Sequence, residues 1–206
     1  MNVAIAVLGL VLAAPLMLIC GILTRLTSPG PIFYTQARIG LDRRARRLGS
    51  AMYDRRTRDL GGCPFLIFKL RTMRLGAEKP NGAVWATKGD SRVTAVGRFM
   101  RTYRIDELPQ LLNVIRGDMN IVGPRPERPS IFSRLRDDIA EYPLRQRARP
   151  GITGWAQVNR SYDASIDDVR LKVRYDLEYL ERQGVCQDLW IMARTLPVLI
   201  FRKGGW

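Results

Sequence analysis

The sequence predicts an α+β protein, mostly helical, with a small β-hairpin and an N-terminal segment that enters a membrane. Three observations lead to this prediction. Residues 3–23 are apolar and uncharged, two β-like runs follow them, and apolar residues further along recur at helical spacings of three and four. With 206 residues the chain is long enough for one sizeable core. We expect a membrane segment at residues 1–27 and a domain at residues 28–206.

The composition indicates an anionic partner. Lys and Arg number 34 against 19 Asp and Glu, which gives a formal net charge of +15. This balance favours nucleic acid, a phospholipid surface or a phosphorylated substrate. The chain has no histidine, so Ser-His-Asp triads and histidine zinc sites are excluded. Its three cysteines form no CxxC motif, so we expect a reducing compartment without zinc or disulfide frameworks.

The first element is the apolar run "VAIAVLGLVLAAPLMLICGIL" at residues 3–23. It meets the requirement of about 20 apolar residues for crossing a bilayer, and without a basic n-region it is a poor signal peptide. Pro15 lies near its middle, where proline kinks a helix. A kinked helix that spans the bilayer and a helix that breaks and returns to the same face both fit, and length favours spanning. The basic sequence that follows predicts a cytoplasmic domain.

Two β-like runs, within "SPGPIFYTQARIG" and "CPFLIFKLRTM", predict a hairpin. Residues 41–62 connect them and carry seven Arg and three Asp with few apolar residues, which is typical of a solvated loop. Next to a membrane segment, each Arg adds about 1 kcal/mol of attraction to anionic headgroups. We therefore expect a hairpin whose basic connection lies over the lipid surface.

The remaining elements are mostly helical. Residues 74–103 are Gly-rich and polar and predict a long loop that runs into a short helix. Residues 163–183 predict an amphipathic helix that stops at Gly184. Its apolar residues are Ile166, Val169, Val173, Leu177 and Leu180. The tail "LWIMARTLPVLIFRK" favours a helix in the membrane interface or, equally, a buried core helix.

An Asp-Glu pair, Asp106 and Glu107, opens the string "DELPQLLNVIRGDMNIVGPRP". Apolar residues behind the pair recur at helical spacing: Leu108, Leu111, Leu112 and Ile115. Pro109 is tolerated only in the first helical turn. The pattern therefore places Asp106 near the N-cap and Glu107 just inside the helix, where N–H groups and the macrodipole favour anions.

A helix cap explains one of these acids and leaves the second without a role. Basic residues lie on both sides of the pair in the sequence: Lys69, Arg71, Arg98, Arg101, Arg104 and Arg125. Carboxylates among guanidinium groups suggest a site for a phosphorylated ligand, with one acid free to hold a divalent cation. Mg²⁺ suits a carboxylate combined with phosphate oxygens. The residues by themselves thus predict metal-dependent phosphoryl chemistry at a membrane.

The same string closely resembles the signature of the bacterial monotopic polyprenyl-phosphate phosphoglycosyl transferases. The resemblance covers nearly the whole chain in the family's order, through "SPGPIFYTQARIG", "FKLRTM", "GDSRVTAVGRFMR", "RPGITGWAQVN" and "YDLEYL". It implies transfer of a sugar-1-phosphate from a UDP-sugar to polyprenyl (undecaprenyl) phosphate, with UMP released, at the cytoplasmic face of the bacterial inner membrane. The motif "GPRPERP" resembles variants in hexose-transferring exopolysaccharide enzymes.

The resemblance also implies residue roles. Asp106 matches the nucleophile that forms a phosphosugar–aspartyl intermediate, and Glu107 matches the residue that binds Mg²⁺. Arg125 matches a phosphate-binding position. The family's basic motifs supply four further substrate-binding candidates: Lys69, Arg71, Arg101 and Arg149.

The family's N-terminal helix breaks at a proline and returns to the cytoplasmic face. The resemblance therefore implies a re-entrant helix broken at Pro15 and interfacial amphipathic helices, whereas length favours a spanning helix. Ala14 stands where the family often has Ser, and the basic residues that usually precede the apolar run are absent. We expect either a trimmed N-terminus or anchoring that depends more on the Arg-rich loop.

Two other classes of protein were weighed against the transferase. A nucleic-acid-binding protein would explain the charge but neither the apolar segment nor the Asp-Glu pair, so no nucleic-acid partner is expected. A non-catalytic basic membrane scaffold would explain the anchor, and it predicts that Asp106→Asn changes only stability, by about 1 kcal/mol. The expected partners are a UDP-sugar, polyprenyl phosphate and membrane phospholipids. The identity of the sugar and the oligomeric state, a homodimer included, are left open.

Overall fold

The computed structural model describes residues 1–43, 61–77, 90–159 and 165–200, with side chains to residue 198. The described helices are α1 (Asn2–Thr27), α2 (Ala95–Thr102), α3 (Gln110–Arg116), α4 (Pro129–Asp138), α5 (Trp155–Asn159), α6 (Ile166–Arg182) and α7 (Val185–Ile200). The described strands are β1 (Phe33–Ile39), β2 (Pro64–Leu70), β3 (Asn120–Val122) and β4 (Gly151–Thr153). Two 3₁₀ turns span Ile105–Glu107 and Tyr142–Arg147. The prediction of a mostly helical chain with a small β-hairpin is confirmed.

Strands β1 and β2 form the predicted antiparallel hairpin, with Phe33 opposite Leu70 and Ile39 opposite Pro64. Most of its basic connection, residues 44–60, lies outside the described residues, as do residues 78–89 of the predicted polar loop. Successive side chains of a strand point to opposite faces. Ile67 and Lys69 therefore share one face of β2, and this places a basic side chain next to the main core.

A second sheet was not predicted. Strands β3 and β4 pair in parallel, with Asn120 opposite Gly151 and Val122 opposite Thr153. Three residues per strand are too few to show a period of two, so the sequence pattern carries no signal for this sheet. The pair matters for the site because the chain leaves β3 directly into the "GPRP" segment.

Helix α1 is continuous through Pro15 and is long and apolar enough to cross a membrane by length and composition. One face packs on the rest of the protein through small residues that allow close approach. Asn2 Oδ1 accepts a hydrogen bond from the Ile121 N–H at 3.1 Å, and a Cβ on Gly9 would lie 3.4 Å from Leu111. Cys20, near the other end, is buried in a cluster with Leu70, Met100 and Ile105. The start, middle and end of α1 thus all contact the domain, and the predicted re-entrant break stays a prediction.

The C-terminal helices pack on the same body. Helix α6 confirms the predicted amphipathic helix, and Ser165 caps it in a reciprocal pair with Asp168. Ile191 of α7 is buried in the main core, whereas Trp190 and Leu196 are exposed. The tail therefore packs by one face, as a core helix does, and keeps an exposed apolar face.

Candidate active site

The Asp-Glu pair lies in a tight turn between α2 and α3. Arg104 opens this turn with a left-handed backbone (φ 54°), and it is the one non-glycine residue with positive φ in the described part of the chain. Ile105–Glu107 then form a 3₁₀ turn. A left-handed conformation is costly for a side chain with a Cβ, so the surrounding packing must hold Arg104 in place.

The predicted N-cap role of the pair is wrong. Helix α3 begins at Gln110 after Pro109, and no side chain in the described part of the chain caps its first turn. Pro109 has no N–H, so the chain here uses bonds that reach back three residues instead of four. The Leu108 N–H donates to the Ile105 carbonyl at 3.2 Å, and the Leu111 N–H donates to the Leu108 carbonyl at 3.1 Å. The two carboxylates therefore need other partners.

Glu107 finds these partners in three basic side chains. Lys69 Nζ lies 2.7 Å from Glu107 Oε1, and Arg125 Nη2 lies 2.9 Å from the same oxygen. Arg104 Nη1 lies 3.5 Å from Glu107 Oε2. The structure thus brings two predicted phosphate-binding residues, Lys69 from β2 and Arg125 from the segment after β3, onto the predicted pair.

The two neighbouring carboxyl groups differ in their electrostatics. Burial raises the pKa of Asp106 to about 6, and the charge of Glu107 adds to this rise while Lys69 opposes it. Burial alone would also raise the pKa of Glu107, but Arg125 and Lys69 outweigh it and hold that pKa well below its usual value. Glu107 is therefore a fixed counter-ion, and Asp106 is the more basic carboxylate. A buried carboxylate that is still ionised at neutral pH suits a nucleophile.

The other predicted basic residues lie in different surroundings. Arg101 on α2 donates from Nε to Thr72 Oγ1 at 2.9 Å, and its charge lowers the pKa of Asp106. Arg71 is buried and holds the segment after α1, with bonds of 2.6 Å to the carbonyls of both Ser28 and Pro29. Arg149 is exposed just before β4. The substrate-binding roles of these three arginines stay predictions.

Sequence reasoning missed two residues that line a small open pocket beside Glu107. The pocket is lined by Arg38, Ile67, Lys69, Glu107, Gln110, Arg125 and Pro126. Arg38 comes from β1 and Gln110 from the first position of α3. Both residues lie inside sequence motifs that carry the family resemblance, and this position in the motifs was the signal that could have identified them. Neither residue type is distinctive by itself, so composition and spacing did not single them out.

A buried ionic network fixes the backbone that carries Arg125. Arg145 forms a fully buried ion pair with Asp176 at 2.6 Å and donates to the Arg125 carbonyl at 3.1 Å. Arg38 donates to the Pro126 carbonyl at 3.0 Å, and Lys172 pairs with Glu127 at 3.1 Å. Three successive residues of the "GPRPE" segment are thus tied to β1, to α6 and to the second 3₁₀ turn. Side chains clamped in this way keep a site in a fixed geometry.

The family model described as bacterial sugar transferase matches residues 1–202. The chain belongs to the bacterial sugar transferase family. The chain is 41% identical over 202 residues to the UDP-glucose:undecaprenyl-phosphate glucose-1-phosphate transferase of Caulobacter vibrioides, across 97% of this chain and 68% of the relative. It is 34% identical over 219 residues to the exopolysaccharide production protein ExoY of Sinorhizobium fredii, across 100% of this chain and 86% of the relative.

Some relatives are much longer than this chain, which spans less than half of their length. The UDP-N-acetylgalactosamine-undecaprenyl-phosphate N-acetylgalactosaminephosphotransferase of Aeromonas hydrophila is 38% identical over 205 residues, which are 100% of this chain but 44% of the relative. The printed names of these relatives carry two different sugars, glucose and N-acetylgalactosamine. Similarity therefore groups the chain with enzymes of different sugar specificity.

Proposed function

We propose that this protein transfers a sugar-1-phosphate from a UDP-sugar to polyprenyl (undecaprenyl) phosphate at the cytoplasmic face of the bacterial inner membrane. The observation that carries the proposal is the Asp106–Glu107 turn, in which one buried carboxylate is tied to three cations and its neighbour has a pKa of about 6. Relatives named as undecaprenyl-phosphate sugar phosphotransferases support the reaction class. A relative named for exopolysaccharide production supports a role at the start of glycoconjugate assembly.

The reaction has two displacement steps at one phosphorus atom. A carboxylate oxygen of Asp106 attacks the sugar-linked phosphorus, the bond from that phosphorus to the bridging oxygen breaks, and UMP leaves with the electron pair. A phosphate oxygen of the polyprenyl phosphate then attacks the same phosphorus, and the Asp106 carboxylate leaves. The products are UMP and polyprenyl diphosphate–sugar, and Asp106 is regenerated.

The basic residues and Glu107 support this chemistry through charge. Lys69 and Arg125 are the proposed cations for the phosphate oxygens, and their ion pairs with Glu107 support this role because they hold both side chains at the turn. Arg101, Arg71 and Arg149 are kept as proposed substrate-binding residues, and the contacts of Arg71 favour an indirect role through the segment after α1.

Mg²⁺ is the proposed cofactor, with Glu107 as its protein ligand. In the described part of the chain no three His, Cys, Asp or Glu side chains group as a metal cage. One carboxylate together with substrate phosphates is nonetheless a usual Mg²⁺ donor set, so the residues fit a metal that binds with the donor. The bound ion would offset the negative charge of the diphosphate.

The proposed membrane arrangement is re-entrant, with α1 entering and leaving by the cytoplasmic face around Pro15. The contacts of Asn2 with Ile121 and of Cys20 with Leu70 support it, because both ends of α1 then belong on one side. Exposed apolar side chains on α1, α3 and α7 support contact with phospholipids: Val11, Leu12, Leu112, Ile115, Trp190 and Leu196.

Asp106→Asn tests the proposed function. UMP release from a panel of UDP-sugars is measured in detergent with Mg²⁺, with and without polyprenyl phosphate. We expect wild type to need one sugar and to turn over repeatedly only with the lipid, because the intermediate traps Asp106. Asp106→Asn should lower release by about a thousandfold or more, since the nucleophile is lost.

The matched control is Asp167→Asn, because Asp167 is an exposed carboxylate on α6 far from the turn in sequence. It should release UMP at the wild-type rate. Thermal unfolding of both variants checks that they are folded. A folded Asp106→Asn protein with undiminished UMP release would contradict the proposal and favour the membrane scaffold.

A further inference from the structure

The pocket beside Glu107 contains more hydrogen-bond donors than its protein partners use. Gln110 is 2% exposed, and its Nε2 has no acceptor among the described residues. Arg38 Nε is also buried without an acceptor there, although the two Nη atoms of Arg38 donate to Pro126 and Gln36. A buried donor without an acceptor costs free energy, and because these two N–H groups line one pocket together with Lys69 and Arg125, they point to an anionic ligand.

The charge of the pocket indicates what this ligand is. Three cations line it, Arg38, Lys69 and Arg125, against the single carboxylate of Glu107. Burial lowers the pKa of Arg38 to about 10, despite the opposing charge of Glu127, so this guanidinium is short of anionic contacts. An excess of positive charge with two free N–H donors suits the oxygens of a phosphate group.

We infer that this pocket is a phosphate site used twice in the reaction, by the phosphate of the departing UMP and then by the phosphate of the polyprenyl acceptor, with Gln110 and Arg38 as ligands. The inference rests on the proposed function for the identity of the two phosphates. It assigns roles to two residues that neither the motifs nor the comparisons assign.

The order of events follows from the geometry of phosphoryl transfer. Attacking and leaving oxygens lie roughly in line through phosphorus. Asp106 does not line the pocket, whereas its neighbour Glu107 does, so the pocket suits the phosphate next to the one that Asp106 attacks. UMP leaves from the side opposite Asp106, and the acceptor must attack from that same side to expel Asp106. One pocket therefore serves both phosphates in turn.

Gln110 and Arg38 act as substrate ligands in this arrangement. When UMP departs, its phosphate changes from one half of a diphosphate to a phosphate monoester and gains negative charge. The Gln110 N–H and the Arg38 N–H then acquire acceptors, and so the charge that develops on the leaving group is stabilised. A lone bound water would satisfy the same donors but would give no preference for phosphate.

The test compares Gln110→Leu with Gln157→Leu in the full chain in detergent with Mg²⁺. Gln157 on α5 is a matched control, because its Nε2 is also buried without an acceptor among the described residues and it does not line the pocket. Equilibrium dialysis gives the dissociation constants of UMP and uridine, and a competition arm uses inorganic phosphate.

We expect Gln110→Leu to raise the dissociation constants of UMP and inorganic phosphate by about tenfold to a hundredfold. This is the usual effect of losing a hydrogen bond to a charged group. Uridine should bind to Gln110→Leu as tightly as to wild type. Gln157→Leu should leave the affinities for UMP, uridine and inorganic phosphate unchanged. The unfolding midpoint of Gln110→Leu should equal or exceed that of wild type, because the lost N–H has no acceptor in the described part of the chain. Gln110→Glu keeps the side-chain volume and should also weaken the binding of UMP. It provides the same test if the Gln110→Leu protein does not fold.

A kinetic arm separates the two phosphates. Gln110→Leu should raise the KM for a short-chain polyprenyl phosphate by a factor similar to that for UMP binding. A change for UMP alone would overturn the shared site. Unchanged UMP affinity in an active Gln110→Leu protein would overturn the pocket and leave the proposed function standing. Wild-type protein that binds UMP through Gln110 but transfers no sugar phosphate would refute the proposed function instead.

Discussion

Asp106 and Glu107 are adjacent in one turn, yet their surroundings shift their pKa values in opposite directions. Asp106 is 8% exposed and Glu107 is 7% exposed, so burial by itself would raise both pKa values. The difference between the two pKa values comes from the ion pairs, because Lys69, Arg104 and Arg125 all contact the Glu107 side chain. This difference supports the proposed division of roles, in which Asp106 is the nucleophile and Glu107 stays ionised beside it.

A pH dependence of stability is expected from Glu127, which supports the Arg125 segment. Burial alone would raise its pKa, but Lys172, Arg145 and Arg38 lower it from 4.5 to about 2. Because the folded pKa lies below the unfolded one, this stabilisation is present above pH 4.5 and is lost as pH falls towards 2. At neutral pH it amounts to about 3 kcal/mol.

The measurement is the free energy of unfolding of wild type and Glu127→Gln in detergent between pH 7 and pH 2. The wild-type advantage should shrink through the window from about 4.5 to about 2. Lys172→Met in the Glu127→Gln background measures separately how much of the loss comes from the Lys172–Glu127 ion pair. An advantage that does not change with pH would contradict the assignment of the low pKa.

At the scale of elements, the site depends on how closely α2 approaches the end of β2. Thr94 caps α2 and donates from its backbone to the Thr72 carbonyl at 3.0 Å. Gly97 faces that same carbonyl, and a Cβ there would lie 2.0 Å from the oxygen. The glycine therefore allows the contact that sets the start of the turn at Arg104.

Gly97→Ala is expected to destabilise the protein by about 1–3 kcal/mol, because backbone atoms of Thr72 have to move. Helix propensity alone would predict the opposite sign, a gain of about 1 kcal/mol. The midpoint of thermal unfolding and the rate of UMP release should both fall, since the displaced helix carries Arg101. The control is Gly184→Ala, where the nearest atom lies 3.9 Å away and no loss is expected. Equal behaviour of the two variants would argue against the close approach.

At the scale of the whole molecule, the length of α1 and its contacts together constrain the membrane arrangement. Its 26 residues would extend about 39 Å, more than the roughly 30 Å hydrocarbon core. Yet Asn2 is bonded to Ile121 of β3, and Cys20 packs with Leu70 of β2. If α1 spanned the bilayer, these two strands would lie on opposite sides of the membrane. The proposed re-entrant arrangement, with both ends of α1 on one face, agrees with these contacts.

Cysteine labelling tests this arrangement in membrane vesicles. The native cysteines Cys20, Cys63 and Cys186 are replaced by Ala, and a single cysteine is inserted before Asn2. A membrane-impermeant maleimide should label it only in inside-out vesicles, in the same way as the control Arg170→Cys on exposed α6. Labelling of the inserted cysteine only in right-side-out vesicles would instead establish a spanning helix.

The sequence determined the elements with strong local signals. Apolar length determined α1, the two β-like runs gave the hairpin β1–β2, and spacings of three and four gave α6. The Asp-Glu pair and its basic neighbours were identified because carboxylates beside cations are recognisable without coordinates, and the motifs ordered them into a family. Short elements such as β3, β4 and α5 carry too few residues to show a period.

Tertiary structure alone decided which groups meet. The sequence pattern placed Asp106 at a helix N-cap, but Pro109 delays α3 to Gln110 and leaves the pair in a 3₁₀ turn. Lys69 and Arg125 reach Glu107 across 38 and 18 residues of chain, a convergence that spacing cannot show. Gln110 and Arg38 are common residue types and become informative only because their N–H groups are buried without acceptors among the residues that the structure describes. Local patterns determine elements because they depend on neighbours along the chain, whereas a site depends on long-range packing and the burial of charge.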